Sequence, residues 1–274
     1  MLYSIILKLK AQTEALVSPT QGYHSYALFL DIIRRANSQL AQRLHDSPSA
    51  KPFTLSPLHG KFVRVGQQVR IEPGAIYWLR LTILEDEIFA ALLDAVLQRK
   101  RDAPLSLDNA SFEVEEIVTT PGKVSGVECD TFEAIYDRNR DRDRVIIVRF
   151  SSPTTFRSGG KRNILFPQPA LVFGSLLARW NALSSLKLPE AVKDAVVEGV
   201  TLSQYNLRTH ILHFPDYQEV GFEGTAHFLI DKHLDDEALQ AINALAVFAF
   251  YSGVGAKTTM GMGQCQRQEM GSGR

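Results

Sequence analysis

The sequence predicts an α+β protein made of two tandem ferredoxin-like (RRM-like) modules, each with the element order βαββαβ. Strand-like alternation and helical periodicity follow one another in this order in the first half of the chain, and the order recurs in the second half. The 274 residues, 45% of them hydrophobic, are sufficient for two cores. We therefore expect domains over residues 1–120 and 145–270, joined by a connecting segment over 121–144.

The first module opens with a strand that is followed by a helical region. Ile5, Leu7 and Leu9 alternate with polar residues at a period of two, which is typical of a strand with one buried face. The apolar residues that follow have a helical period, and Asn37-Ser38 can end this helix and begin a shorter one. Further strands are predicted at residues 53–58, 76–84 and 112–118, and a second main helix at 85–101.

The second module repeats the pattern. Strands are predicted at residues 145–150, 201–213, 219–230 and 262–268, and helices at 170–186 and 235–250. Residues 136–144 (YDRNRDRDR) contain few apolar side chains, so we expect an exposed connection near the domain boundary.

Charge is balanced over the chain but not along it. Lysine and arginine number 30, and aspartate and glutamate also number 30, which argues against a general polyanion binder or a membrane-surface protein. Between Asp143 and Glu190, however, every charged residue is basic. A basic face on a neutral protein fits one selected polyanionic ligand.

The cysteine spacing, the apolar runs and the N-terminal residues argue against several other classes of protein. Cys129 and Cys265 lie far apart in the sequence, which predicts two reduced thiols rather than a disulfide framework or a zinc site. No apolar run is long enough for a transmembrane helix, and the start of the chain lacks the features of a signal peptide. We expect a cytoplasmic protein without a membrane partner.

The most distinctive motif is the glycine-rich segment GVGAKTTMGMG at residues 253–263. Its glycines permit positive φ and close backbone approach, and its amides can form an anion-binding concavity. The segment joins a predicted helix to a predicted strand, which is the reverse of a P-loop or a Rossmann fingerprint. A tight connection with a purely structural role is the alternative interpretation.

Four segments together resemble a known family. They are FAFYSGVGAKTTMGMGQ (248–264), FSSPTTFRSGGKR (150–162), VGFEGTAHFLI (220–230) and LHDSPSAKPFTLSPL (44–58). These segments are similar, in order and in both halves of the chain, to the repeat-processing CRISPR-associated endoribonucleases of the RAMP superfamily. The resemblance implies the same two ferredoxin-like modules.

The resemblance also implies a reaction. The expected activity is cleavage of CRISPR precursor RNA within its repeats, without metal or cofactor, by attack of a ribose 2′-hydroxyl that leaves 2′,3′-cyclic phosphate and 5′-hydroxyl ends. Such a reaction needs a base, an acid and a cation beside the phosphorane. The alternative is a non-catalytic member that binds repeat RNA within a CRISPR effector complex. Association with effector proteins and formation of a homodimer stay open.

The catalytic residues are assigned by the same resemblance. His45 occupies the position of the family histidine that acts as general base or acid, and Lys51 occupies that of an assisting lysine that stabilises charge. His24, at the start of the first helix, is the competing or assisting histidine. Some members use a tyrosine within the first helix; the aligned residue is Leu30, so a complete three-residue site is not expected.

RNA binding is expected to depend mainly on phosphate contacts. The predicted RNA-binding residues form two groups. One group lies in the basic loop at residues 154–162 of the second module, and the other lies in the glycine-rich segment. The RNA-binding residues are Arg157, Lys161, Arg162, Gly253, Gly255, Lys257, Thr258 and Thr259.

Overall fold

The computed structural model describes residues 1–47, 51–98, 104–139, 143–158 and 162–269. Contacts divide the chain into two compact units. The first comprises Met1–Cys129, His213–Gln218 and Thr259–Gly261, and the second comprises Asp130–Leu212, Glu219–Thr258 and the residues from Met262 onward.

The first half of the chain forms a main antiparallel sheet with helices packed against it. Its elements are β1 (Leu2–Ala11), β2 (Ala15–Val17), α1 (Gly22–Ala36), α2 (Ser38–Asp46), β3 (Phe53–Leu55), β4 (Val63–Val65), β5 (Gln68–Ile71), β6 (Ile76–Ile83), α3 (Asp86–Leu97), β7 (Leu105–Leu107), β8 (Ala110–Val118) and β9 (Glu128–Asp130). The main sheet has the order β3-β6-β1-β8-β7, and β9 also pairs with β1. Strands β2, β5 and β4 form a separate sheet.

The strand order of this main sheet follows from a βαββαβ sequence. Strands β1, β3, β6 and β8 are its four strands, and β1 lies between β6 and β8 with antiparallel pairing to both. Helix α1 therefore crosses over one intervening strand to reach β3. The core lies between the sheet and α1, where Phe29 and Ile33 pack with Phe53 and other buried apolar residues.

The second half forms a sheet with the same strand permutation. Its elements are α4 (Phe132–Arg138), β10 (Val145–Thr154), β11 (Phe156–Ser158), β12 (Arg162–Ile164), α5 (Pro169–Leu183), α6 (Ala191–Gly199), β13 (Val200–His213), β14 (Gln218–Ile230), α7 (Asp236–Ser252) and β15 (Cys265–Gln268). The sheet order is β13-β14-β10-β15, and β11 pairs with β12 as a separate hairpin. The α+β fold class predicted from the sequence is confirmed.

The expected exposed connection at residues 136–144 begins within a short helix, where Asp137 and Arg138 are exposed. Helix α4 extends to Arg138, and Asn139 is buried. Thr131 caps this helix by accepting a hydrogen bond from the Ala134 amide at 3.0 Å, and Phe132 packs edge-on against Trp180 at 4.9 Å between ring centroids. A seven-residue helix is too short for periodicity to reveal, so its tertiary packing was not predictable from the pattern.

No helix in the described part of the chain combines the length and hydropathy needed to cross a membrane. Cys129 and Cys265 are both free thiols.

Candidate functional site

The carbonyl end of α2 carries the first cluster of predicted residues. His45 is exposed in the last turn of this helix. Lys51 Nζ donates to the His45 carbonyl at 3.0 Å and also to the Leu44 carbonyl. It lies 3.4 Å from the Ser47 carbonyl as well. The last carbonyls of a helix lack partners within the helix, so the ammonium group both satisfies them and complements the helix dipole. Lys51 thus fixes the end of α2 that bears His45.

Tyr26 of α1 lies beside the same ammonium group. Lys51 Nζ is 5.8 Å from the centroid of the Tyr26 ring, a separation at which cation–π attraction operates. The ring is 8% exposed and lies parallel to Phe53. Burial, and then the nearby Asp46 carboxylate, raise the pKa of Tyr26, so the phenol is neutral. Burial lowers the pKa of Lys51, and Asp46 partly opposes this shift.

This tyrosine is not among the site residues predicted from the sequence. Leu30, the residue aligned with the family tyrosine, is 3% exposed and belongs to the core. Residues four apart lie on the same side of a helix, so Tyr26 occupies the same face as Leu30 one turn earlier. The sequence signal for this residue is a tyrosine one turn away from Leu30 on the same helix face.

His24 faces a different neighbour. Its Nε2 lies 4.0 Å from Asp108 Oδ1, in the turn between β7 and β8. Positions two apart on an α-helix differ by about 200° in direction, so His24 and Tyr26 project to opposite sides of α1. The described contacts connect Lys51 with His45 and Tyr26, whereas His24 contacts Asp108; a catalytic role for His24 stays a prediction.

The glycine-rich segment forms a tight loop after α7. Gly253 ends the helix with φ 62°, and Gly255 has φ 81°. The Ala256 amide donates to the Thr155 carbonyl at 2.9 Å. A Cβ atom on Gly255 would lie 2.4 Å from that carbonyl oxygen. Glycine is therefore required here both for the positive φ and for the close approach to the chain just beyond β10.

The two threonines of this segment lie largely inside the protein. Thr258 and Thr259 are 5% and 8% exposed. Thr258 Oγ1 accepts a hydrogen bond from Arg179 Nη1 of α5 at 3.0 Å. Burial lowers the pKa of Arg179 to about 10, which leaves the guanidinium charged at neutral pH. The Thr258 hydroxyl thus holds the loop against α5, and a contact of Thr258 with RNA stays a prediction.

A buried carboxylate connects the two groups predicted to bind phosphate. Glu219, at the start of β14, is 3% exposed. Arg157 of β11 donates from Nη2 to its Oε2 at 2.9 Å, and Lys257 Nζ lies 3.5 Å from the same oxygen. Asn163 of β12 donates to Oε1. The structure thus places Arg157 and Lys257 together.

The other predicted contacts are only partly described. Arg162 is exposed at the start of β12. Lys161 lies outside the described residues. Across the described ranges, no group of three or more His, Cys, Asp and Glu side chains is arranged to hold a metal ion.

The fold first defines a class. The chain is similar to a solved RAMP protein that binds different RNA substrates, with a TM-score of 0.62 and 15% identity over 97% of this chain and 100% of that one. At this identity the likeness shows the fold alone. The chain therefore belongs to the same fold class as that protein.

Sequence models then identify the family. The CRISPR Cas6 N-terminal domain matches residues 1–137, and the CRISPR-associated endoribonuclease Cas6 matches residues 148–265. The chain therefore belongs to the Cas6 family of CRISPR-associated endoribonucleases, which confirms the family resemblance found in the sequence.

Individual relatives agree with this assignment. The Cas6 endoribonuclease of Streptococcus thermophilus is 27% identical over 187 residues, which are 68% of this chain and 71% of the relative. A solved Cas6 product complex has a TM-score of 0.81 and 29% identity, and covers 98% of this chain and 99% of its own. Thermus thermophilus Cas6 has a TM-score of 0.69 and 27% identity over 98% of each chain.

Proposed function

We propose that this endoribonuclease cleaves CRISPR precursor RNA within its repeats, without a metal ion, by attack of a ribose 2′-hydroxyl on the adjacent phosphorus. The observation that carries the proposal is the cluster at the end of α2, where Lys51 contacts both the His45 carbonyl and the Tyr26 ring. Membership of the Cas6 family and the similarity to a Cas6 product complex support it.

The proposed reaction assigns proton transfer to His45. The bond between the 2′ oxygen and phosphorus forms while the bond from phosphorus to the 5′ oxygen breaks. The 2′ proton is accepted by a base, and the departing 5′ oxygen receives a proton from an acid. Imidazole performs either role near neutral pH. The exposed position of His45 leaves its ring accessible to a bound strand.

Lys51 acts in two ways in this proposal. Its hydrogen bonds hold the end of α2, and so hold the backbone of His45. Its positive charge lies where it offsets charge that develops on the phosphorane. The neutral Tyr26 ring lies against the ammonium group and supports this position.

The products test the proposal directly. Wild-type protein is incubated in EDTA with an end-labelled RNA that contains one repeat. We expect one cut in the repeat, a 5′-hydroxyl that polynucleotide kinase can label, and a 3′ end that resists phosphatase until acid opens the cyclic phosphate. Cleavage that requires added Mg²⁺, or that leaves 5′-phosphate ends, would contradict the mechanism. Tight binding without any cut would favour the non-catalytic RNA-binding alternative.

The pH dependence provides a second prediction. A lysine side chain is charged below its pKa and loses this charge as the pH rises through that value. Because burial lowers the pKa of Lys51, its side chain loses the charge at a pH below 10.5, the ordinary pKa of lysine. We expect the single-turnover rate to fall on the alkaline side below that pH, and the fall to move to higher pH in Lys51→Arg, since arginine keeps its charge.

The measurement is a series of single-turnover rates corrected for uncatalysed RNA hydrolysis. Lys232→Arg, at an exposed position, is the matched control and should keep the wild-type profile. If Lys51→Arg had the same alkaline limb as the wild type, the charge of Lys51 would not limit the rate.

A further inference from the structure

We propose that Glu219 is a positioning residue for RNA binding, which holds Arg157 and Lys257 side by side so that they engage one region of the phosphate backbone. This inference rests on the proposed function and names a residue that forms no part of the phosphate-binding set predicted from the sequence. Its ligand class is the phosphodiester group of RNA.

The carboxylate clamps a small hairpin. Arg157 of β11 and Asn163 of β12 are directly paired across the hairpin, and each donates to Glu219, one to Oε2 and the other to Oε1. A two-stranded hairpin with three residues in each strand is marginal by itself, so its position depends on such contacts. Both oxygens of one buried carboxylate therefore hold both strands.

The same carboxylate holds the glycine-rich loop. Lys257 is the cation of that loop and lies 3.5 Å from Glu219 Oε2. Its backbone has φ 57°, in the left-handed region that is uncommon for residues other than glycine. The loop and the hairpin each approach Glu219 with one cation, and the carboxylate reduces the repulsion between the two.

The charges favour an anionic ligand at this place. Within this group of three side chains, two cations face one carboxylate. The side chain of Glu219 is 4% exposed, whereas that of Arg157 is 45% exposed. Arginine has five N–H donors in a planar fork, and one of them is directed at Glu219. The remaining guanidinium edge has the geometry that suits a phosphate group.

Glu219→Gln is the informative variant. The amide has nearly the same shape but no charge, and its NH₂ group replaces one of the two acceptor oxygens, so it faces either Asn163 or the pair Arg157 and Lys257. Because hydrogen bonds between charged groups are the stronger ones, we expect affinity for the cognate repeat RNA to fall about tenfold. Affinity for a scrambled RNA should not fall, since no cation is removed. The measurement is fluorescence anisotropy over a series of salt concentrations.

Two controls separate positioning from other effects. Glu198→Gln, at an exposed position on α6, makes the same change in net charge and should bind like the wild type. In an Arg157→Gln/Lys257→Gln background, the salt slope should fall by about one for each lost phosphate contact. There, Glu219→Gln should have no further effect on affinity, since a residue that acts through these cations is not additive with them.

The outcomes are distinct. Wild-type affinity in Glu219→Gln, or a full additional loss in the triple variant, would overturn the inference while leaving the proposed function intact. Absence of both repeat binding and cleavage in the wild type would overturn the proposed function and this inference together. If Glu219→Gln does not fold, Glu219→Asp is used; it keeps the charge on a shorter side chain, and affinity between that of the wild type and the double variant is expected. Affinity equal to the double variant would contradict the inference.

Discussion

Replacing His45 by alanine is expected to slow single-turnover cleavage of repeat RNA by about 10²- to 10⁴-fold, the range that general acid–base catalysis contributes. Binding of the repeat should change by less than about threefold, since phosphate contacts provide most of the affinity. The protein should stay folded, because the residue is exposed and substitutions at exposed positions usually change stability by less than about 0.5 kcal/mol.

Two other histidine variants make this result interpretable. His233→Ala removes an exposed imidazole in the turn before α7 and should leave the rate unchanged. His24→Ala removes the ring that contacts Asp108 and tests the competing assignment. Full cleavage by His45→Ala, together with loss in His24→Ala, would make His24 the principal residue. Loss in both variants would indicate that they share the acid and base roles.

The features that local chemistry determines were predictable from the sequence. The break between α1 and α2 is an example, because Asn37 accepts a hydrogen bond from the Leu40 amide at 2.9 Å and so begins the second helix. Asparagine and serine favour such positions through their short polar side chains. The strand order of both sheets likewise follows from the sequence of elements, once that sequence is recognised.

Features that depend on distant residues were not predictable. Arg157 and Glu219 are 62 positions apart. The sequence shows only a basic middle and, separately, a concentration of seven acidic residues between positions 216 and 237. The fold brings the two regions together, so part of the predicted basic face is compensated from within the protein. The hairpin β11–β12 was not predicted either. Its strands are too short for alternation to show, and its position depends on a carboxylate from β14.

The candidate catalytic cluster was predictable from the sequence only in part. The family resemblance singled out His45 and Lys51, and the structure brings the Lys51 ammonium group to the carbonyl of His45. Tyr26 was missed because its neighbour, Lys51, comes from a segment beyond the second helix. A contact between two such segments follows from the packing of α1 against α2, which periodicity predicts only as a buried face.

Replacing Gly255 by alanine should lower the stability of the second unit. The new Cβ would lie 2.4 Å from the Thr155 carbonyl oxygen, and the residue would be held at φ 81°. Residues forced into such backbone conformations cost about 1–3 kcal/mol each. In a unit of this size, that cost lowers Tm by roughly 2–12 °C. Differential scanning calorimetry measures the shift.

The same substitution should weaken RNA binding well below the melting temperature. The clash is relieved when the loop and the Thr155 backbone separate, and we expect this separation to move Lys257 relative to Glu219. We therefore expect cognate affinity to fall at least as far as in Glu219→Gln, and the two variants to be non-additive when combined. Additive losses would show that the loop and the carboxylate act separately.

Gly174→Ala is the matched control for the fold. Gly174 lies within α5, and a Cβ atom there has no described atom within 4 Å. Alanine in a compatible helical position stabilises a protein by about 0.4–1 kcal/mol, because it restricts the unfolded chain. Gly174→Ala should therefore melt at or slightly above the wild-type temperature and bind RNA normally. If Gly255→Ala behaved in the same way, the approach of the glycine-rich loop to Thr155 would not be what holds Lys257 in place.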